Sequence, residues 1–528
     1  MPHGASGFDG CFSAPHTAAA LAGRDVLGAG GTAIEAMVAA AATIAVTYPH
    51  MNGIGGDGFW LIRRAGQRPV GISGCGRAAG LATPKWYAAH GHAGAIPVRG
   101  PLAALTVPGT LDGWRKALDL VPAARRIPLP DLLAPAIAYA RDGIAVTDGQ
   151  SRYTAEKLDG LGRAPGFADI FLADGAPPPP GHTLCQPALA DTLQTIATQG
   201  VDAFYRGDIA AEHARFLTAE GSPLRAADFT GFKAEMVEPL SVRTSDGTLY
   251  NLGPPTQGIA SLMILALFDR LGIAEPEGFD HVHGIVEATK QAFLVRNAVL
   301  GDPDSMPRPP ATWLDDSFLD TLAAKINRNI AMPWPHPARD GDTIWMGAVD
   351  REGTAVSFIQ SVYWEFGSGL TCPTTGVVFQ NRGAGFSLKP GPNQLAPRKR
   401  PFHTLNPALA ELNDGRVIAY GTMGGEGQPQ TQAAVFTRHV RFGQGLQQSI
   451  SAPRWLLGRT WGDVSTSLKL ENRWDGKVVD ALRAAGHQVE LIDGFSDLMG
   501  HAGAVVLHRN GLMEAATDPR ADGAAIAF

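Results

Sequence analysis

An α+β fold, with helices and sheet in stacked layers, is predicted by three features of the sequence. Helix-length apolar patterns dominate the first part of the chain, and β-rich segments begin at Thr343. The 64 glycines and 39 prolines demand many turns and tight loops. With 528 residues, 45% of them hydrophobic, the chain can bury a large core. Charged residues make up 18%, below the roughly 25% of an average soluble chain, which argues against disorder. The 44 basic and 50 acidic side chains give a net charge of −6 with no dense Lys/Arg block. Nucleic acid and anionic membrane surfaces are therefore not expected partners.

The elements follow in order. Residues 14–46 are Ala-dense and broken by Gly28, Gly30 and Gly31, which predicts two packed helices with a glycine turn. Residues 50–58 form a glycine loop running into a short strand over 59–63. Helical patterns cover 132–141, 188–198, 259–271 and 282–299. The four prolines at 177–180 read as a surface loop. A second Pro-rich stretch, 306–310, precedes a helical pattern over 313–326, and 333–342 reads as exposed linker. From there the texture changes: 343–349 and 354–363 are β-rich and joined by Asp350-Arg351-Glu352-Gly353. A three-residue loop with Gly353 left-handed makes a hairpin in which Asp350 pairs with Thr354 and Thr343 falls opposite Ser361.

Cys11, Cys75, Cys185 and Cys372 are far apart and form no C-x-x-C, so buried or inert thiols of a reducing compartment are expected. Residues 1–10 lack the basic and apolar regions of a secretory signal, and the longest apolar run, 36–46, is too short to span a bilayer. The expectation is a soluble, cytoplasmic protein.

Four motifs bear on chemistry. Gly53-Ile54-Gly55-Gly56-Asp57-Gly58 matches G-x-G-x-x-G but follows a helix and opens a strand, the reverse of a dinucleotide site, so a tight loop under close backbone packing is the better reading. His90/His92 and His281/His283 lack a partner carboxylate at metal spacing and read as surface or capping histidines. Gly-x-Ser-x-Gly is absent, against a Ser-His-Asp hydrolase. Thr343 stands at the start of a strand after an exposed linker. Cutting the Asp342–Thr343 bond would give it an α-amine that can act as its base, whereas a β-branched strand opener is the commoner role for a threonine. Tyr420-Gly421-Thr422-Met423-Gly424-Gly425-Glu426-Gly427 is too glycine-rich for a strand interior. Its adjacent glycines suit converging N–H groups or a plain turn.

Taken together and in order, these residues resemble the γ-glutamyltranspeptidase family of N-terminal nucleophile hydrolases over essentially the whole chain. The resemblance continues through Pro108-Gly109-Thr110, Phe204-Tyr205-Arg206-Gly207, His283…Glu287…Lys290…Arg296…Asp302-Pro303 and Phe366-Gly367-Ser368-Gly369. Arg400-Pro401-Phe402-His403-Thr404-Leu405-Asn406-Pro407 completes it. It implies a four-layer αββα sandwich and a precursor that cleaves itself between Asp342 and Thr343. The products would be an α chain, 1–342, and a β chain, 343–528, which pair with each other as one structural domain; the heterodimer could in turn form a homo-oligomer. It also implies Thr343 as nucleophile and base, Ser361 as the hydroxyl beside it, and Gly424 and Gly425 as the oxyanion pair, with no cofactor or metal.

The departures from the family pattern point to the substrate. Gly385 stands before Phe386 where transpeptidases carry an Asp for the glutamyl α-amine. Arg382, Tyr363 and His403 replace their Gln or Glu, their Asn and the first of their serine pair, and Thr404 keeps a hydroxyl. Arg77-Ala78 stands imperfectly for their carboxylate-binding Arg-Glu. The site has lost an acid and gained a planar cation suited to a carboxylate. Arg382, His403, Thr404, Tyr363 and Arg77 are thus the expected substrate-binding residues. The pattern looks like the oxamate amidohydrolase subgroup, which forms oxalate and ammonia in purine-derived nitrogen salvage. The alternatives are a γ-glutamyl hydrolase or transferase, an acylase on larger amides, and an uncut, non-catalytic homologue.

Overall fold

The computed structural model describes residues 4–336, 341–458 and 465–528. Two seven-stranded sheets form its centre. The first runs Ala524–Ala527, Gly10–Ala14, Asp342–Asp350, Ala355–Tyr363, Asp57–Arg63, Val70–Gly74, Glu235–Val237. The second runs Ala5–Gly7, Met513–Thr517, Ala502–Leu507, Val417–Thr422, Ala408–Leu412, Gly247–Asn251, Leu240–Arg243. Every pairing within them is antiparallel. Strands from before and after Thr343 are interleaved in both sheets.

The inner faces meet in a cluster that includes Phe59, Trp345, Ile359, Leu409 and Val505. Trp345 sets the spacing at one point: its indole lies where β-carbons of Gly421 and Gly503 would be, 2.2 and 2.5 Å from built positions. Its N–H donates to Ser357 Oγ at 2.9 Å. Gly421 thus belongs inside a strand, and Tyr420-Gly421-Thr422 closes Val417–Thr422. The glycine content of this segment comes from a tryptophan of the facing sheet, which sequence alone does not show.

Helices cover both outer faces. Thr17–Gly28 and Ala33–Thr47 pack together, the second opened by a Thr32–Glu35 capping box and buried along its whole length. Leu129–Asp142 and Pro187–Gln199 complete this side. Gly258–Leu271, Phe279–Val299 and Gln428–Phe436 cover the other. The result is the αββα sandwich. Residues 313–326 are only partly helical: a 3-10 turn, Pro310–Leu314, precedes a shorter helix, Asp316–Ala323. The linker before Thr343 is irregular through residue 336, and its residues 337–340 lie outside the described residues.

His90 is exposed and caps its helix, bonding the Trp86 carbonyl. His281 and His283 depart from the surface reading: both are buried. His281 bonds Thr437 and Glu277, and His283 bonds His487 and the Asn327 carbonyl. All four cysteines are free, three buried and Cys185 exposed. No helix among the described residues is long and apolar enough to cross a membrane.

Candidate active site

Thr343 is the second residue of the strand Asp342–Asp350, an interior strand of the first sheet, and is completely buried. The hairpin after it has the expected register from Ile344↔Gln360 to Val349↔Ala355, with Asp350 N–H on the Thr354 carbonyl and Gly353 at φ +77°. Asp350 locks the turn by accepting the Glu352 and Thr354 N–H groups on Oδ1, and Ala33 N–H on Oδ2. At the other end the ladder slips by one residue. Asp342 pairs with Tyr363, so Ser361 and Val362 together face Thr343 across a β-bulge. Bulges bend a strand and re-aim side chains, and they are common beside active sites. Ser361 Oγ accepts the Tyr363 N–H at 2.7 Å.

The glycine loop supplies the floor. A β-carbon on Gly55 would lie 1.9 Å from the Val378 carbonyl oxygen and one on Gly56 2.0 Å from that of Ser361. The glycines therefore allow backbone contact with the Thr343 hairpin and with the segment around Val378, and do not form a phosphate cradle. The loop delivers Asp57, fully buried, at the head of its strand. Oδ1 accepts from Gln380 Nε2 (2.8 Å), Gly76 N (3.0 Å) and Gly109 N (3.2 Å), and Oδ2 faces His403 Nε2 at 3.1 Å. Leu405 N–H donates to His403 Nδ1, so Nε2 carries the proton. Burial first, and Arg382 second, hold this imidazole neutral. His403 is thus engaged at both nitrogens and positions Asp57, a departure from the pocket-lining role expected of it.

Arg382 lies in a 3-10 turn, Arg382–Gly385, and is 1% exposed. Nη2 donates to Thr404 Oγ1 at 2.9 Å, and the guanidinium lies 3.6 Å over the Tyr363 ring. Tyr363 takes φ +87°, a conformation costing on the order of 1–3 kcal/mol for a non-glycine residue. Arg382 Nε and Nη1 are buried without a hydrogen-bond partner, and no carboxylate among the described residues is within ion-pair distance. Burial lowers its pKa, while Tyr363 and Asp57 raise it. Tyr363, Gly385 and Phe386 line an adjoining cavity of about 300 Å³.

Gly424 (φ +118°) and Gly425 (φ +50°) are both left-handed, as the turn after the strand requires. Thr422 Oγ1 donates to the Met423 carbonyl at 2.7 Å, which fixes the plane carrying the Gly424 N–H. Gly427 N–H donates to the Gly424 carbonyl at 2.8 Å, which fixes the plane carrying the Gly425 N–H. Two preset amide donors are what a developing oxyanion needs. Gly341, two residues before Thr343, passes through this space. A β-carbon built on it would lie 3.0 Å from Gly425 Cα, 3.2 Å from Tyr363 and 3.5 Å from Thr404 Oγ1.

The structure therefore brings together Thr343, Ser361, Tyr363, Arg382, Thr404, Gly424 and Gly425. Arg77 does not join them: it is a third exposed, ion-pairs with Glu235 at 2.7 Å and donates to the Arg398 carbonyl. The backbone of Asp342 is in the strand, while its side chain lies outside what is described. Among the described residues, two clusters hold metal-ligating atoms within 4.8 Å of one another, Asp57–Cys75–His403 and His283–Glu287–His487. Arg382 acts electrostatically on the first, and Lys290 is ion-paired to Glu287 in the second, so both read as hydrogen-bond networks. Asp57, Gln380 and Gln257 escaped sequence reasoning. Only the placement of Asp57 inside the glycine loop offered a signal.

The gamma-glutamyltranspeptidase family model matches residues 19–528. The oxamate amidohydrolase proenzyme of Klebsiella pneumoniae is 52% identical over 98% of both chains. The glutathione hydrolase-like YwrD proenzyme of Bacillus subtilis is 40% identical over 97% of both. Among solved structures, the cephalosporin acylase from Bacillus halodurans superposes with a TM-score of 0.92 at 31% identity, covering 100% of this chain and 97% of that one. The chain belongs to the gamma-glutamyltranspeptidase family of N-terminal nucleophile amidohydrolases.

Proposed function

We propose that the protein is a self-processing amidohydrolase that cleaves small anionic amides, oxamate foremost, through an acyl-enzyme on Thr343. The observation that carries this reading is the buried Arg382, with two nitrogens unpaired and no counter-ion in contact among the described residues. An unpaired interior cation is costly unless a ligand supplies its charge, and a guanidinium suits a carboxylate's two oxygens. A relative 52% identical is named for oxamate.

In the precursor, Thr343 Oγ attacks the Asp342 carbonyl and water hydrolyses the resulting ester, leaving Thr343 with a free amine. The segment carrying Gly341 then vacates the site. In turnover, the amine accepts the Thr343 hydroxyl proton as Oγ bonds to the amide carbon, and the oxyanion falls to the Gly424 and Gly425 N–H groups. The C–N bond breaks, the amine returns the proton to departing ammonia, and water hydrolyses the acyl ester to oxalate. Ammonia release from oxamate at a rate well above aniline release from a γ-glutamyl anilide is the expected result; the reverse order would overturn the substrate assignment. The cavity of about 300 Å³, partly lined by Ile96, Phe386 and Leu388, favours a second reading, a longer anionic acyl amide. A glutaryl amide in the same panel tests it.

A pH dependence follows from Asp57. Burial pushes its carboxyl up to about 7 against the pull of its N–H donors and of Arg382. Below pH 7 Asp57 is neutral and the Arg382 charge is uncompensated; above it the carboxylate offsets that charge. KM for an anionic amide is therefore expected to rise between pH 6 and 8, and Asp57→Asn to flatten the rise. The same raised pKa favours folding fully below the ordinary carboxylate range, and this contribution is lost as pH rises through about 7. A KM that falls over this interval would contradict the assignment.

A further inference from the structure

We propose that Gln257 is a positioning residue that couples the two halves of the site, a claim that rests on the roles given above to Arg382 and the glycine pair. Gln257 is completely buried. Its Nε2 donates to two carbonyls, Thr404 at 2.9 Å and Gly425 at 2.8 Å, which uses both amide protons. Its Oε1 accepts from Arg296 Nη1 at 2.9 Å. The reversed amide would set oxygen against two carbonyl oxygens and NH₂ against a guanidinium, so only one orientation satisfies these three bonds. Arg296 is in turn ion-paired with Glu426 at 2.5 Å, and both are buried. The pair therefore closes a ring with the residue that follows Gly425.

The two carbonyls belong to different tasks. Thr404 carries the hydroxyl that holds Arg382 Nη2. Gly425 carries one of the two oxyanion amides, in a left-handed conformation whose ψ is fixed once its own carbonyl is held. The Gln257 N–H also donates to the His403 carbonyl at 2.9 Å, and His403 faces Asp57. One side chain at the start of helix Gly258–Leu271 thus sets the distance between the cation that would grip a carboxylate and the amides that would receive the oxyanion. A substrate with its carboxylate a fixed number of bonds from its amide needs that distance held.

The test compares purified, processed wild type with Gln257→Leu and with Gln257→Glu, which keeps the shape but cannot donate to both carbonyls. The substrate is whichever of oxamate, a glutaryl anilide and a γ-glutamyl anilide the wild type turns over fastest. Failure of the oxamate reading then shows in the wild type alone, while the Gln257 comparison still runs. Both variants are expected to lose about tenfold or more in kcat and to gain about tenfold in KM. Gln257→Glu, which retains the packing, should fold, and its own kinetics suffice if Gln257→Leu does not. Either variant keeping kcat and KM within threefold of wild type would overturn the proposal. So would full activity in Gln257→Glu beside an inactive Gln257→Leu, which would make the role packing alone.

Discussion

Arg382→Met is expected to raise KM for an anionic amide about 100-fold, to leave self-cleavage intact, and to raise the melting temperature. Truncating one partner of a buried, hydrogen-bonded charge pair costs about 2–5 kcal/mol, which spans the 100-fold expected in binding. The stability change has the opposite sign because the unliganded protein buries this guanidinium with Nε and Nη1 unsatisfied. Replacing a buried, poorly compensated charge with an apolar side chain of similar size is often stabilising by about 1–4 kcal/mol. Steady-state kinetics and a thermal melt on the same preparation check both. A variant that binds as well as wild type removes the anion grip. One that binds poorly and melts earlier makes Arg382 a structural residue.

Thr343→Ala is expected to abolish self-cleavage and to reduce hydrolysis by on the order of 10⁴-fold or more, the range seen when nucleophiles are removed from other hydrolases. The wild type should separate under denaturing conditions into chains of 342 and 186 residues, and the variant should stay at 528. Thr343→Ser keeps an Oγ and should still cleave. Cleavage in Thr343→Ala, seen by intact mass, would show that another group attacks the Asp342 carbonyl. Because each sheet contains paired strands from both sides of residue 343, the cut chains should stay associated without denaturant.

Much of this was legible because it is local. The Asp350–Gly353 loop fixed a hairpin register that holds for the whole ladder up to Ile344, and the Ala-dense residues 14–46 could only be buried helices. The glycine loop was readable as close packing because it follows a helix and opens a strand. What was not legible depends on partners far away in sequence. Gly421 is in a strand because Trp345 packs on it. Tyr363, which ends the bulged ladder, lies under the Arg382 guanidinium, and His403 faces Asp57 across 346 positions. His281 and His283 are core residues because their partners, Thr437, His487 and Asn327, arrive from elsewhere. Arg77 fell outside the site because Glu235 pairs with it. Gln257 has no motif at all, and only its three hydrogen bonds reveal it.

The most direct single measurement is mass spectrometry of the wild-type protein quenched with acid during turnover of oxamate, followed by mapping of the adduct. The expected result is a 186-residue chain beginning at Thr343 and carrying an oxalyl ester on that residue. An uncut chain that nonetheless releases ammonia, or an acyl group mapped to any other side chain, would contradict Thr343 as the nucleophile.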